Sequence, residues 1–257
     1  MTFFVITFLI SCLSVMTVRG RRGNWPAGMP GARGRLMAVG GTYEGSQGPP
    51  TDAYVIQERL LATAHGTGGT ALGHTAAALA LGAVVGARPQ HAGTREQDLD
   101  ECAQAAHRAV RTAALRNPAT PDLVSTLDLV VLDTGERPRL RFAHVGNGAI
   151  FHCPRGREPQ QLTTPPSEDG PPPRGIGLPS ALDPEVGTEV GTVALRPGDR
   201  VVIVTEGVLK ALGLPRMKQL LSGTTSPVAC LDRLYDEIAA ADPKEDATVL
   251  IADFVTA

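Results

Sequence analysis

Acidic residues stand at the ends of three apolar segments of this sequence, where their carboxylates could hold a cation. Glu206 follows the β-branched run Val201–Val204 and precedes Gly207, which opens a segment with helical spacing. Asp52 follows a loop rich in glycine and proline, and Glu245 stands just before the last strand-like segment. Oxygen ligands of this kind suit hard cations, but a single acid in a turn can equally face solvent. Both interpretations of Glu206 therefore stay open.

His65 is a second candidate, because it begins the glycine-rich segment His65–Gly69 between a strand-like and a helix-like stretch. The segment fits the dinucleotide fingerprint G-x-G-x-x-A, but no acid lies in Val84–His91, where the ribose would need one. It is also similar to the oxyanion loop of esterases, but the chain has no G-x-S-x-G elbow. His65 is then either a metal ligand or a loop histidine bonded to nearby backbone.

The elements that must position these residues follow from hydrophobic spacing, and consecutive strands with few long helices favour antiparallel sheets covered by helices. We predict strands over Leu36–Thr42, Asp52–Ile56, Arg59–Ala64, Ser125–Asp133, Arg139–His144, Ala149–Cys153, Gln160–Leu162, Glu185–Leu195, Val201–Val204 and Val249–Phe254. We predict helices over Thr70–Val85 and Thr94–Asn117, from Gly207 onward, and over Pro227–Ala241. The proline-rich stretch Thr163–Pro179 is predicted to be an exposed irregular loop.

Composition bounds the class of protein. The chain has 257 residues, 42% of them hydrophobic, which is enough for one domain with a substantial core. With 24 Lys and Arg against 26 Asp and Glu, the net charge of −2 gives no support to a nucleic-acid partner. The four cysteines, Cys12, Cys102, Cys153 and Cys230, are widely spaced, as is typical of reduced, packed thiols in a cytosolic domain.

The N-terminal segment differs from the rest. Thr2–Val18 is apolar and uncharged, and arginines follow it, so the positive-inside rule predicts a membrane anchor with the domain on the cytoplasmic side. Translation from Met16 or Met37 would instead leave the apolar run out of the protein. We divide the chain into this segment (residues 1–18), a basic Gly/Pro linker (19–35) and one domain (36–257).

The order of the motifs resembles the metal-dependent protein phosphatase 2C (PPM-type) family over about Met37 to Phe254. The motifs are an acid after a loop, a strand into x-G-x-G-G and a helix, V-G-N-G at Val145–Gly148, G-D-R-V-V-I-V-T-E-G at Gly198–Gly207, and E-D-A-T-V-L-I at Glu245–Ile251. The resemblance implies an α+β fold in which two packed antiparallel sheets form a β-sandwich flanked by helices. It also implies a centre of two Mn or Mg ions at one end of the sandwich.

Each family position can be read in this sequence. Asp52 falls where the family has its metal-bridging aspartate, with Thr51 in place of a neighbouring glutamate. His65 falls where the aspartate of D-G-x-G-G belongs, and Gly66 where a backbone carbonyl joins the metals. The remaining positions are Glu206 for the aspartate of S-D-G, Glu245 for the first aspartate of the closing motif, Asn147 for an acid linked to a third metal, and Gln47 for a phosphate-binding arginine.

The resemblance implies hydrolysis of phosphoserine and phosphothreonine in proteins by a metal-bound water, with no separate catalytic side chain. The substitutions leave a second hypothesis from another class: a pseudophosphatase, needing no metal, that binds a phosphoprotein or a regulatory protein. A glutamate at position 206 or 245 keeps a ligand but moves its oxygens outward, and His65 removes a negative charge.

Overall fold

Two antiparallel β-sheets pack face to face in the computed structural model, with a pair of helices on the outer side of each sheet. The structure describes residues 34–46, 48–67, 71–87, 96–117, 123–134, 137–164, 175–178, 187–223 and 226–256. This arrangement confirms the α+β sandwich that the sequence resemblance implies.

Eleven strands and four helices make up the described chain. The strands are β1 (Gly34–Tyr43), β2 (Asp52–Ile56), β3 (Leu60–Thr67), β4 (Val124–Ser125), β5 (Leu127–Asp133), β6 (Arg139–Val145), β7 (Ala149–Cys153), β8 (Gln160–Gln161), β9 (Glu189–Ala194), β10 (Arg200–Val204) and β11 (Ala247–Thr256). The helices are α1 (Ala71–Ala87), α2 (Glu96–Arg116), α3 (Glu206–Leu221) and α4 (Pro227–Ala241). One sheet has the order β1-β11-β10-β7-β8 and the other β2-β3-β5-β6-β9, with β4 paired to β3.

Three apolar layers hold the sandwich together. Side chains such as Leu61, Ile203 and Phe254 fill the space between the sheets. Helices α1 and α2 cover β3, β5 and β6, while α3 and α4 cover β10 and β11. Because both faces of β10 are covered, all five of its residues are buried, which explains the apolar run Val201–Val204 that follows Arg200. Helix α2 buries an apolar stripe at helical spacing, which consists of Leu99, Ala103, Ala106, Val110 and Ala114.

Several predicted boundaries were wrong by a few residues. Helix α3 begins at Glu206 rather than Gly207, with Thr205 as its extended N-cap residue. The helix bends at Gly213, whose φ of 71° no helix adopts, two residues before Pro215. The predicted strand Glu185–Leu195 is Glu189–Ala194 within the described chain. Helix α2 begins at Glu96 in the described chain, and Thr94, the predicted first residue of this helix, lies outside the described residues.

Three cysteines, Cys102, Cys153 and Cys230, are buried free thiols, as predicted. Burial raises the pKa of both Cys102 and Cys153 to about 12, so these thiols stay protonated and unreactive. Among the described helices, none is long and apolar enough to cross a membrane. The predicted anchor (residues 1–18), Cys12 and most of the predicted linker (19–35) lie outside the described residues, and β1 already begins at Gly34.

Candidate functional site

The candidate residues lie at strand ends that meet at one end of the sandwich. Asp52 opens β2, and register places it directly opposite His65 near the end of β3. Asn147 precedes β7, Glu206 follows β10, and Glu245 precedes β11. The neighbouring strands β7, β10 and β11 pair Ala149 with Val204 and Val204 with Val249, so these three ends lie side by side. The sandwich therefore gathers residues that are far apart in sequence.

Asp52 is the most deeply buried acid of this group, with a side chain that is 0% exposed. Its Oδ1 lies 2.7 Å from Nδ1 of His65. Its Oδ2 accepts hydrogen bonds from the hydroxyls of Thr205 at 2.9 Å and Thr248 at 2.6 Å. Thr205 also accepts a bond from the Thr248 backbone N–H, which ties β10 to β11 at this point. Both oxygens of Asp52 are thus engaged by donors of the protein itself.

His65 is surrounded by acids. Burial lowers the pKa of His65, but the hydrogen bond and charge of Asp52 outweigh it, and Glu245 and Glu206 add to the effect, so the pKa is raised. Three carboxylates therefore act on a single imidazole, which carries positive charge more readily than a free histidine. The Nδ1 bond to Asp52 and a backbone bond from His65 N–H to Thr126 Oγ1 fix the ring and its strand.

Glu206 and Glu245 share a cation that the sequence analysis did not identify. The ammonium of Lys210 lies 2.9 and 3.0 Å from the two carboxylate oxygens of Glu245 and 3.3 Å from Oε1 of Glu206. Asn147 donates its side-chain N–H to the other oxygen of Glu206. Partial burial lowers the pKa of Lys210, but the hydrogen bonds and charges of Glu245 and Glu206 outweigh the effect of burial. The pKa of Lys210 is therefore raised, and the lysine stays charged.

Asp246 is the second residue that the sequence analysis missed. It is buried, whereas the side chain of its neighbour Glu245 is 43% exposed. Its carboxylate accepts backbone N–H bonds from Thr51 at 2.6 Å, Gly45 at 3.0 Å and Asp52 at 3.3 Å. Asp246 therefore fastens the loop before β2 to the start of β11 and sets the position of Asp52. The sequence shows the acid pair Glu245 and Asp246 before a strand, but it does not show which of the two side chains points inward.

Two glycines allow the backbone to close around this end. A methyl group at Gly66 would lie 1.8 Å from the carbonyl oxygen of Gly73 in α1, and one at Gly207 would lie 2.0 Å from that of Asp246. Only glycine fits at such approaches. The carbonyl oxygen of His65 accepts bonds from Thr126 N–H and from the Ser125 hydroxyl. Gln47, the predicted phosphate subsite, lies outside the described residues.

The side chains present do not fit a pair of metal ions in this arrangement. The oxygens of Asp52 are taken by His65 and two threonines, and Lys210 occupies the space between Glu206 and Glu245. Within the described ranges, no three His, Cys, Asp or Glu side chains form a group that could hold a metal ion. Asp52 lies against His65, and Glu206 and Glu245 both contact Lys210, so the protein's own donors already engage the predicted ligands.

The fold and the gathered strand ends define a protein phosphatase 2C-like domain of the PPM class. The serine/threonine phosphatase PstP/Ppp of Mycobacterium tuberculosis superposes with a TM-score of 0.75 at 20% identity, covering 87% of this chain and 100% of that chain. The PstP catalytic domain in complex with two manganese ions gives 0.73 at 20% identity, covering 86% and 99%. MsPP, a PPM Ser-Thr phosphatase from Mycobacterium smegmatis in complex with cacodylate, gives 0.68 at 22% identity, covering 85% and 98%.

The chain belongs to the Stage II sporulation protein E (SpoIIE) family, whose family model matches residues 69–255. No curated relative matches the chain at a significant level. The resemblance to PPM-type phosphatases that the sequence analysis stated is thereby confirmed.

Proposed function

We propose that this protein is a pseudophosphatase: a protein phosphatase 2C-like domain that acts as a binding or regulatory module and does not depend on a metal centre. The observation that carries the proposal is the state of Asp52. A carboxylate that bridges two metals must offer free lone pairs to both, whereas three of the roughly four lone pairs of the Asp52 carboxylate already accept from buried or half-buried donors.

Electrostatics supports the same proposal. A metal centre binds phosphate because two divalent cations outweigh the surrounding acids. Here the basic groups at the site are Lys210 and His65, and they stand against the three acids Asp52, Glu206 and Glu245. This excess of acids leaves little positive charge to attract a phosphate group, so we expect the domain to recognise a regulatory protein rather than to turn over a phosphoprotein.

The alternative is a serine/threonine phosphatase with altered metal preference. It is favoured by the convergence of Asp52, Glu206 and Glu245 on His65, and by the two manganese ions of the PstP domain with the same fold. In that case manganese would have to displace Lys210 and one donor of Asp52. His65 could then contribute a nitrogen ligand, which suits manganese better than magnesium.

Hydrolysis of an aryl phosphate and of a phosphothreonine peptide, each in millimolar Mn and Mg, tests the proposal. The matched control is Asp52→Asn, which removes the one side chain shared with the family pattern. We expect the wild type to release phosphate no faster than this control. We expect His65→Asp combined with Gln47→Arg to raise the rate in Mn, because the change restores an acid and a phosphate-binding cation.

Wild-type hydrolysis clearly above Asp52→Asn, and abolished by His65→Ala, would replace the pseudophosphatase with the altered-metal phosphatase. Equal turnover by the wild type, Asp52→Asn, His65→Ala and the His65→Asp, Gln47→Arg double variant would identify a contaminating enzyme as the source of the activity. This result agrees with the proposal.

A further inference from the structure

Lys210 forms an ion pair with two acids from different parts of the chain. Glu206 lies one helical turn before it in α3, and Glu245 lies 35 positions later, just before β11. Lys210 approaches both oxygens of Glu245, at 2.9 and 3.0 Å, so the contact with this carboxylate is bidentate. A lone surface ion pair contributes little, but one ammonium shared by two acids on separate elements is a small network.

The side-chain lengths of the three residues fit one another. The resemblance places aspartates at positions 206 and 245, and this chain has glutamates at both. Each glutamate adds one carbon–carbon bond of about 1.5 Å, which lengthens the reach of its carboxylate. Both carboxylates meet the ammonium of Lys210, and a glutamate four positions before a lysine is the favourable order on a helix. The longer acids and the lysine are therefore complementary.

We infer that Lys210 is a resident cation that closes the Glu206–Glu245 pair in place of a divalent metal. The inference deepens the proposed function and rests on it, since it names the group that neutralises this half of the site. The ammonium supplies the positive charge that both acids require, and it does so without any ion from solution. Divalent ions must compete with Lys210 for the same three oxygens, both of Glu245 and Oε1 of Glu206.

Lys210 has room to leave, which makes the competition measurable. Its side chain is 52% exposed and lines a cavity of about 310 Å³ between α3 and the turn before β11. Lys244 lines the same cavity and is also exposed, and within the described part of the chain it is Lys210, not Lys244, that pairs with Glu206 and Glu245. Lys244→Met thus makes the same change in net charge at the same place and serves as a matched control for Lys210→Met.

Calorimetric titration with manganese chloride, together with thermal unfolding in Mn, Mg and EDTA, provides the test on the full chain. We expect no saturable heat in the millimolar range for the wild type and for Lys244→Met. We expect Lys210→Met to bind Mn at least roughly tenfold more tightly than Lys244→Met, because a positive charge at the ion's position has been removed. Mn should then raise its melting temperature selectively. Lys210→Arg keeps the charge and should behave as the wild type.

Equal Mn binding by Lys210→Met and Lys244→Met would overturn the inference, as would wild-type binding as tight as that of Lys210→Met. Hydrolysis separates the two proposals. If the wild type hydrolyses phosphate esters while Lys210→Met still binds Mn more tightly than Lys244→Met, the pseudophosphatase fails and the role of Lys210 stands. Lys210→Met is expected to fold, since half-exposed surface residues seldom change stability by more than a small amount.

Discussion

Asp246→Ala removes the carboxylate that holds the loop before β2 against the start of β11. Three backbone N–H groups lose their acceptor, those of Gly45, Thr51 and Asp52. The loop lies so close to this turn that a methyl group at Gly45 would come within 2.4 Å of the Glu245 backbone. We therefore expect the substitution to lower global stability and to loosen this loop in particular.

The magnitude follows from the three distances. Thr51 at 2.6 Å and Gly45 at 3.0 Å are good charge-assisted bonds, while Asp52 at 3.3 Å is weaker. Two such bonds at about 1.5–3 kcal/mol each would give about 3–6 kcal/mol. Gly45 and Thr51 are only half-buried, so water can replace part of the loss, and we expect about 2–4 kcal/mol. For a domain of this size that corresponds to a fall of roughly 5–15 °C in melting temperature.

Urea unfolding measures the global loss, and amide hydrogen exchange measures the local one. Exchange should accelerate at Thr51 and Asp52 in Asp246→Ala. Asp246→Asn keeps one acceptor oxygen and should lie between the variant and the wild type. Asp232→Ala, an exposed acid in α4, is the control and should change stability by less than about 0.5 kcal/mol. A loss below about 1 kcal/mol with unchanged exchange at Thr51 and Asp52 would refute the role given to Asp246.

Two further predictions concern a buried ion pair and a close backbone contact. His144 Nδ1 lies 2.7 Å from Asp128 Oδ1, and although burial lowers the pKa of His144, Asp128 outweighs it and raises it. The stabilisation is complete below the unfolded pKa of about 6.5 and is lost as pH rises through the higher folded pKa. His144→Gln should therefore flatten the fall in urea stability above about pH 6.5, and equal pH profiles would contradict this. Gly207→Ala should lower the free energy of unfolding by more than about 2 kcal/mol, because the added methyl group meets the Asp246 carbonyl oxygen. Gly82→Ala, on the open face of α1, is the control and should be neutral or stabilising. Similar melting temperatures for the two variants would contradict the close contact at Gly207.

Much of the fold could be predicted because each sheet is covered on both sides and its strands carry apolar runs of the right length. The run Val201–Val204 and the final strand are examples, and both lie in the centre of a sheet. Glycine-rich turns and acids marked the strand ends, so Asp52, His65 and Glu206 could be assigned to one region. The register that sets Asp52 against His65 confirms that they are neighbours.

The charge balance of the site could not be predicted in the same way. Adjacent residues before a strand point in opposite directions, so the sequence does not distinguish an inward Asp246 from an outward Glu245. Lys210 occupies an ordinary polar position on a helix, and its contact with Glu245 depends on how α3 packs against β11. An ion pair between residues far apart in the chain produces no regular spacing of residues in the sequence from which it could be predicted.

One loop prediction was wrong for a related reason. Thr163–Pro179 was predicted to be exposed, yet Ile176 is fully buried and exchanges two backbone hydrogen bonds with Ser125. A single isoleucine among prolines carries no periodicity, so only tertiary contacts reveal that residues 175–177 return to the core.

The donors around Asp52 also affect how the sequence can evolve. Replacing His65 alone by aspartate would put a second carboxylate where Nδ1 now lies 2.7 Å from Asp52. Replacing Lys210 alone would leave Glu206 and Glu245 facing each other without a cation. Each of these changes therefore leaves acids facing each other, and the effect of either one depends on whether the other is present. Coupling of this kind means that the residue at one of these positions constrains which residues the other position can accept.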